Sequence, residues 1–181
     1  AAGTRMCGLV LYTLVRISHA KKIVEIGVGR GCSTIALLYA AKDTGGLVQS
    51  IDPSPCEAAQ ATVERCGLSE FWKFNNTTSD EYFAANDESI QLAFIDGEHF
   101  QPFVERDIVN VFNRLERGGW VIMHDWNAAP RDAMETYVNR KDSHGYGVAR
   151  ACASQLYPAM PLFAMSILPG VFGQEHSEGA F

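Results

Sequence analysis

A glycine-rich loop carries the clearest chemical signal in the sequence. Residues 23–34 read I-V-E-I-G-V-G-R-G-C-S-T, with Gly27, Gly29 and Gly31 directly after a short apolar run. Glycines adopt backbone conformations that strain other residues, and they let a ligand approach the main chain closely. The exposed amide groups of such a loop, at the positive end of a following helix, suit the polar groups of a nucleotide-like ligand. The alternative is a glycine turn that binds nothing.

The spacing of the glycines distinguishes between nucleotide-like ligands. A dinucleotide-binding loop reads G-x-G-x-x-G, which would place its third glycine at position 32, where this chain has Cys32. Asp52 ends the next predicted strand, 21 residues after Gly31. An acidic side chain at that place reaches the two hydroxyls of a ribose. The alternative for Asp52 is a cap of the turn before Pro53.

Two further carboxylates stand at the ends of two later strands. Asp96 follows the apolar run Ile90–Ile95, and Asp125 follows Trp120–Met123 after one intervening residue. If these strands are neighbours, they lie about 4.8 Å apart, and the two carboxylates could share one hard cation such as Mg²⁺. The alternatives are an Asp-Gly turn at Asp96 and a loop cap at Asp125.

With Glu25 two residues ahead of the glycines, the loop resembles the first motif of the class I S-adenosylmethionine-dependent methyltransferases. The motifs D-G-x-H and G-G-x-x-x-x-H-D, which begin at Asp96 and Gly118, are similar to those of small-molecule O-methyltransferases, including the catechol-type and macrolide sugar enzymes. The resemblance implies S-adenosylmethionine as cofactor. It also implies a set of cofactor-binding residues from the loop and from the ends of the following strands: Glu25, Gly27, Val28, Gly29, Gly31, Ser33, Asp52, Thr78, Ser79 and Asp96.

The resemblance assigns the catalytic roles to the Asp96 motif. His99 stands where related enzymes have a general base, and a histidine can take the proton of a hydroxyl near neutral pH. Asp96 and Asp125 would hold magnesium, which lowers the pKa of a bound hydroxyl. The third metal ligand of that group is replaced here by Trp126. His99 as a plain surface residue is the alternative, and His124 is expected to support the site rather than act as a base.

Thr78 carries two interpretations. It matches the position where the family often binds adenine, and with Glu81 it also forms the pattern of a capping box at the start of a short helix. Both interpretations stay open at this stage.

The elements that position these residues follow from apolar periodicity and turn signals. Strands are predicted at 23–26, Leu47–Ile51, Phe71–Phe74, Ile90–Ile95 and Trp120–Met123. Helices are predicted at Thr4–Ser18, from Ile35 to Ala41, from Ala58 to Arg65 with Ser54-Pro55 as its cap and Gly67 as its end, through Tyr82 and Ala85, and at Phe103–Arg117. Further along, helices are predicted at Pro130–Arg140 and Val148–Tyr157, and a hairpin at Leu162–Leu168 and Val171-Phe172.

These elements predict one α/β domain over residues 1–181, with an N-terminal helix within 1–20 and a loose tail at 174–181. The resemblance implies a Rossmann-like, doubly wound sheet of seven strands, mostly parallel with an antiparallel C-terminal hairpin and helices on both faces. Its strand order would be 3-2-1-4-5-7-6. The order reverses between the first and fourth strands, so the cofactor crevice is expected between Gly27 and Asp96.

Composition limits the partners. The chain has 181 residues, a formal net charge of −6 and a pI near 5.3, which argues against a nucleic-acid footprint and favours a small-molecule acceptor. The five cysteines form no C-x-x-C pair, so we expect reduced thiols in a cytoplasm. The apolar stretch Gly8–Val15 is too short to cross a bilayer, and no membrane partner is expected.

Two other functions compete with an O-methyltransferase. One is an NAD-dependent oxidoreductase, against which Cys32 argues. The other is a methyltransferase-like module that binds the cofactor without catalysis. Homo-oligomerisation is compatible with either function, and the sequence does not decide it.

Overall fold

The computed structural model describes residues 2–98 and 101–124. Five helices are described: α1 (Ala2–Ser18), α2 (Cys32–Thr44), α3 (Glu57–Arg65), α4 (Ser79–Ala85) and α5 (Gln101–Phe112). Five strands are described with them: β1 (Lys22–Ile26), β2 (Leu47–Ile51), β3 (Trp72–Asn75), β4 (Ile90–Ile95) and β5 (Leu115–Met123). A short 3₁₀ turn, Ser69–Phe71, precedes β3.

The five strands form one parallel sheet in the order β3-β2-β1-β4-β5, which confirms this part of the predicted order. β1 lies at the centre, where Ile26 is paired with Ile51 on one side and with Ile95 on the other. The last four residues of β1, β2 and β4 are all buried. Burial on both faces explains why these strands are mostly apolar without an alternating pattern, and the buried polar residues Glu25, Gln49 and Ser50 are exceptions.

Two apolar layers sandwich the sheet. On one face Leu11 of α1 and Leu37 of α2 pack with Ile23 and Phe94 of the strands. On the other face α4 and α5 cover the sheet, with side chains that are all buried: Tyr82, Phe83, Val104, Ile108 and Val111. Each such side chain stabilises the fold by about 1.5–3 kcal/mol relative to an exposed position. The two layers hold the carboxyl ends of the strands in fixed positions.

Two predicted boundaries are wrong. The cap of α3 is Cys56, in the left-handed region at φ 48°, and not Ser54-Pro55. Asp52 accepts the Ser54 amide, so this segment forms a turn at the end of β2 instead. Gly67 does follow the end of this helix as predicted, with φ 64° and its N–H donated to the Glu64 carbonyl.

The helix predicted at Phe103–Arg117 ends earlier, because α5 stops at Phe112 and β5 begins at Leu115. The Arg114 guanidinium donates to the carbonyls of Phe83 and Asn86, which holds this point of the chain against α4. The Arg114 carbonyl also accepts the N–H of Ile90 and starts the pairing with β4. Gly118, at φ 83°, lies within β5 near a register irregularity, and not at a helix end.

Several predictions fall outside the described residues. They include His99, Asp125, Trp126 and everything predicted after them: the helices Pro130–Arg140 and Val148–Tyr157, the hairpin and the tail at 174–181. Within residues 2–98 and 101–124, no helix is both long and apolar enough to cross a membrane.

Candidate cofactor-binding site

Gly27 brings the end of β1 against the end of β4. Its φ is +90°, and a Cβ atom there would lie 2.1 Å from the carbonyl oxygen of Asp96. The Gly27 N–H donates to the Ile51 carbonyl at 2.9 Å, and the Asp96 N–H donates to the Ile26 carbonyl at 2.8 Å. Only glycine fits this junction, because a side chain would collide with the neighbouring backbone.

The other two glycines of the loop differ in their surroundings. Gly31 caps α2 with φ +82°, and a Cβ there would lie 2.8 Å from the Ala59 Cβ. Gly29, at φ +52°, would meet no described atom within 4 Å. Gly27 and Gly31 therefore serve close packing, whereas Gly29 borders open space into which a ligand can fit.

Glu25 lies beneath the loop and is fully buried. Its carboxylate accepts hydrogen bonds from the hydroxyls of Ser33 at 2.7 Å, Thr34 at 2.9 Å and Ser50 at 2.6 Å. Burial raises the pKa of Glu25 to about 7, although the three hydroxyl donors favour its ionised form. The carboxylate thus joins β1 to the start of α2 and to β2, and Ser33 is part of this support.

Asp52 braces the loop from the end of β2. One carboxylate oxygen accepts the amides of Val28 at 2.9 Å and Gly29 at 3.2 Å, and the other accepts the Ser54 amide at 2.8 Å. Partial burial opposes ionisation, but these backbone donors outweigh it and lower the pKa of Asp52. Asp52 is therefore an anion at neutral pH, and it remains partly exposed where β1 and β2 end.

Asp96 follows β4 on the other side of Gly27. Its Oδ1 lies 3.0 Å from Nδ1 of His124, and both side chains are about three-quarters buried. The backbone N–H of His124 donates to the Ile95 carbonyl at 3.0 Å. The contact agrees with the interpretation of His124 as a supporting residue. His99 and Asp125, the other members of the predicted catalytic cluster, lie outside the described residues.

Thr78 forms the predicted capping box. Its side chain accepts the Glu81 amide, and the Glu81 carboxylate accepts the Thr78 amide at 3.2 Å and its hydroxyl at 2.9 Å. The capping interpretation is confirmed, while the adenine contact stays a prediction. The adjacent Asn76 amide group donates to the carbonyls of Asp52 and Ser54, which links the loop after β3 to the loop after β2.

The sequence reasoning missed Asp107. This residue of α5 is 3% exposed, and it accepts a hydrogen bond from the hydroxyl of Ser79. Burial raises the pKa of Asp107 to about 6. The signal was present in the sequence, because Asp107 lies three residues after Val104, on the apolar face of the helix.

The observed site therefore joins four loops at the carboxyl ends of neighbouring strands. They carry most of the predicted cofactor-binding residues: Gly27, Val28, Gly29, Gly31, Asp52, Thr78, Ser79 and Asp96, with Glu25 and Ser33 below. The strand order reverses between β1 and β4, which is the general place for ligands in open α/β sheets and the place where the cofactor crevice is predicted.

Comparisons with known proteins identify the family of this chain. Residues 24–126 match the family described as a methyltransferase domain. A protein of Mycobacterium sp. strain JLS named "Putative O-methyltransferase" is 33% identical over 68% of this chain and 56% of its own length. A protein of the same name from Mycobacterium avium is 31% identical over the same shares. The chain thus spans just over half the length of the curated relatives it matches.

Solved structures share the fold. An O-methyltransferase from Bacillus cereus in complex with S-adenosylhomocysteine has a TM-score of 0.74 at 22% identity, covering 95% of this chain and 77% of that one. The O-methyltransferase TomG from Streptomyces achromogenes, in complex with S-adenosylmethionine, has a TM-score of 0.74 at 20% identity, covering 95% and 76%. With the domain match and the curated relatives, these findings lead to one conclusion: the chain belongs to the class I methyltransferase family, among the O-methyltransferases.

Proposed function

We propose that this protein transfers a methyl group from S-adenosylmethionine to a hydroxyl of a small molecule, such as a natural product or a sugar-like acceptor. One observation carries the proposal. The glycine loop and the ionised Asp52 meet at the carboxyl ends of β1 and β2, directly beside Asp96. The family match and the relatives' names support the same activity. They argue against an NAD-dependent oxidoreductase.

The cofactor would lie across the strand ends. The Asp52 carboxylate accepts the ribose hydroxyls, and the open side of Gly29 gives the sugar and amino acid parts room near the loop amides. Thr78 and Ser79 would border the adenine end, and Asp96 the reacting end. Glu25 and Ser33 act from beneath, by holding the loop in shape before the ligand arrives.

Methyl transfer is a displacement at the sulfonium carbon. The acceptor oxygen forms a bond to the methyl carbon while the carbon–sulfur bond breaks, and S-adenosylhomocysteine leaves as a neutral thioether. His99 would take the proton of the hydroxyl, which makes the oxygen a better nucleophile. Much of the acceleration comes from holding the two reactants in line.

The described residues contain one of the two predicted magnesium ligands, Asp96, and the other, Asp125, lies outside them. Asp96 already contacts His124, and residues 2–98 and 101–124 contain no group of three or more His, Cys, Asp or Glu side chains that could hold a metal. Trp126 also stands at the family's third ligand position and carries no donor suited to a hard cation. Binding of Mg²⁺ by Asp96 and Asp125 stays a prediction, and no step of the proposed mechanism uses it.

Thermal shift tests the cofactor class first. S-adenosylmethionine, S-adenosylhomocysteine and NAD are each added with magnesium and with EDTA. A ligand at a hundred times its Kd stabilises a protein by about 2.7 kcal/mol, so a rise of several degrees is expected with the two sulfur ligands. A rise with NAD alone would overturn the proposal. A response to the sulfur ligands that needs magnesium would instead support the two-carboxylate site.

Transfer of a labelled methyl group to a panel of small hydroxyl compounds then tests the reaction. His99→Ala should lower turnover by about 10² to 10⁴ and leave cofactor affinity unchanged. Unchanged turnover would remove His99 from the mechanism. Cofactor binding without transfer to any acceptor would favour the non-catalytic module.

Further parts of the proposal concern residues 1–181. We infer that they form one methyltransferase domain with a seven-stranded sheet closed by an antiparallel hairpin, and that they have a cytoplasmic location and no nucleic-acid or membrane partner. The order of the five described strands, the methyltransferase relatives, the net charge of −6 and the free thiols among the described cysteines support these inferences. Sedimentation would decide between a monomer and a homo-oligomer.

A further inference from the structure

Asp107 occupies a position that a hydrophobic residue would ordinarily fill. It lies on the buried face of α5 with Val104, Ile108 and Val111, and only 3% of it is exposed. A buried carboxyl group lowers stability unless its hydrogen bonds are satisfied. An acid at such a position calls for a role beyond packing.

The two carboxylate oxygens of Asp107 face the start of α4 and the loop after β4. Its Oδ1 accepts the hydroxyl of Ser79, the first residue of α4 after the Thr78 cap. Its Oδ2 lies 3.8 Å from the place where a Cβ atom of Gly97 would be, directly after Asp96. The Asp107 side chain therefore binds the start of α4 and lies close behind the loop after β4.

We propose that Asp107 is a positioning residue for the cofactor, which fixes Ser79 and the Gly97 turn as the outer wall of the crevice before the cofactor binds. The inference rests on the proposed function, because it concerns the affinity of that same site. Asp107 acts through Ser79 and the turn, and it does not itself touch the cofactor.

The same two helices offer a matched control. Arg106 on α5 and Asp80 on α4 form an ion pair at 3.1 Å, with both side chains about half exposed. This pair ties the helices together on the outside, and such exposed pairs contribute little to stability. Arg106→Gln therefore removes a polar contact between the same two helices without touching Ser79 or Gly97, and it controls for loss of such a contact as such.

The affinity for S-adenosylhomocysteine, measured by calorimetry well below the melting temperature, tests the inference without an acceptor. Because Asp107→Ala removes the acceptor that holds Ser79 in place before binding, it should raise Kd roughly tenfold. Asp107→Asn keeps an oxygen that accepts from Ser79 and should restore most of the affinity. Arg106→Gln should bind like the wild type.

A double variant tests the route through Ser79. If Asp107 acts through that hydroxyl, Asp107→Ala should change Kd much less in a Ser79→Ala background than in the wild type. Fully additive losses would contradict this route.

The outcomes separate the inference from the proposed function. A wild type that does not bind S-adenosylhomocysteine would overturn the proposed function. A wild type that binds, together with a folded Asp107→Ala of unchanged Kd, would overturn only the inference. If the alanine variant does not fold, Asp107→Leu fills the same core position with an apolar side chain and carries the same test.

Discussion

Glu25 is a buried carboxyl group whose three partners come from two different elements. Ser33 and Thr34 belong to the first turn of α2, and Ser50 belongs to β2. The hydroxyls replace part of the water that the carboxyl loses on burial, which offsets some of the cost of placing it there. Because Ser33 and Thr34 directly follow the glycine loop, the position of this loop depends on the titratable carboxyl group of Glu25.

Stability should therefore depend on the protonation of Glu25. Burial raises its pKa from 4.5 to about 7, so the folded protein binds more protons than the unfolded chain between these pH values. The free energy of unfolding from this site then falls as pH rises through that window, by up to about 3 kcal/mol. Urea unfolding at pH 5, 6, 7 and 8 should show that the free energy of unfolding depends less on pH in Glu25→Gln than in the wild type.

A matched control is Glu64→Gln, because Glu64 is exposed on α3. Its curve should follow that of the wild type. The same pH dependence of the free energy of unfolding in Glu25→Gln and the wild type would show that folding does not raise the pKa of Glu25.

Substitution by alanine should destabilise the protein far more at one glycine of the loop than at another. Gly27→Ala places a methyl group 2.1 Å from the Asp96 carbonyl oxygen, so the protein should fail to fold or lose several kcal/mol of stability. Gly29→Ala meets no described atom within 4 Å and should cost only about 1–2 kcal/mol for its left-handed backbone. It should nevertheless weaken S-adenosylhomocysteine binding.

Chemical denaturation and calorimetry of the two alanine variants distinguish packing from ligand contact. Equal losses of stability would contradict the separate roles of Gly27 and Gly29. Unimpaired ligand affinity in Gly29→Ala would mean that the ligand does not lie on this side of the loop.

At the scale of elements, the start of α4 decides between the two interpretations of Thr78. Thr78→Ala removes a helix cap and should cost about 1 kcal/mol of stability. Thr78→Ser keeps the capping oxygen and should restore stability. If Thr78 is only a cap, S-adenosylhomocysteine affinity stays unchanged in the serine variant and changes little in the alanine variant. A strong loss of affinity in a folded Thr78→Ala would favour the adenine contact.

Elements were predictable where local pattern and burial agree. β2 and β4 have the predicted bounds because short, mostly apolar segments that end at turn residues fit strands that are buried on both faces. The boundary of α5 and β5 was not predictable, because it depends on contacts of Arg114 and Glu116 with distant residues. Glu116, for example, accepts hydrogen bonds from the side chains of Ser89 and Lys22.

The candidate site shows the same division. Gly27 and Asp52 were identified from spacing, because a turn between strand and helix needs particular residues at particular positions. Asp107 was missed, because apolar periodicity assigns its position to the core and says nothing of a polar partner on another helix. The pairing of His124 with Asp96 depends on β4 and β5 being neighbours, which is a property of the sheet and not of either sequence segment.

At the scale of the whole molecule, the two ends of the strands carry different kinds of residue. The carboxyl ends of β1, β2 and β4 have loops with glycines and carboxylates, whereas Lys22, Leu47 and Ile90 lie at the opposite ends of the same strands. The strand order reverses at β1, and the proposed cofactor crevice lies at the carboxyl ends of the strands there. Ligand binding should therefore stabilise the molecule unevenly.

Hydrogen exchange can measure this asymmetry. Addition of S-adenosylhomocysteine should slow amide exchange in residues 27–31, 52–54, 76–79 and 96–98, because the ligand suppresses local opening of the loops that it contacts. Amides at the amino ends of β1, β2 and β4 should change only as much as global stability does. Protection confined to those amino ends would place the ligand at the amino ends of the strands, and it would contradict the crevice that the strand order predicts. In Asp107→Asn, the same pattern should persist at 76–79, since the amide oxygen can still accept the hydroxyl of Ser79.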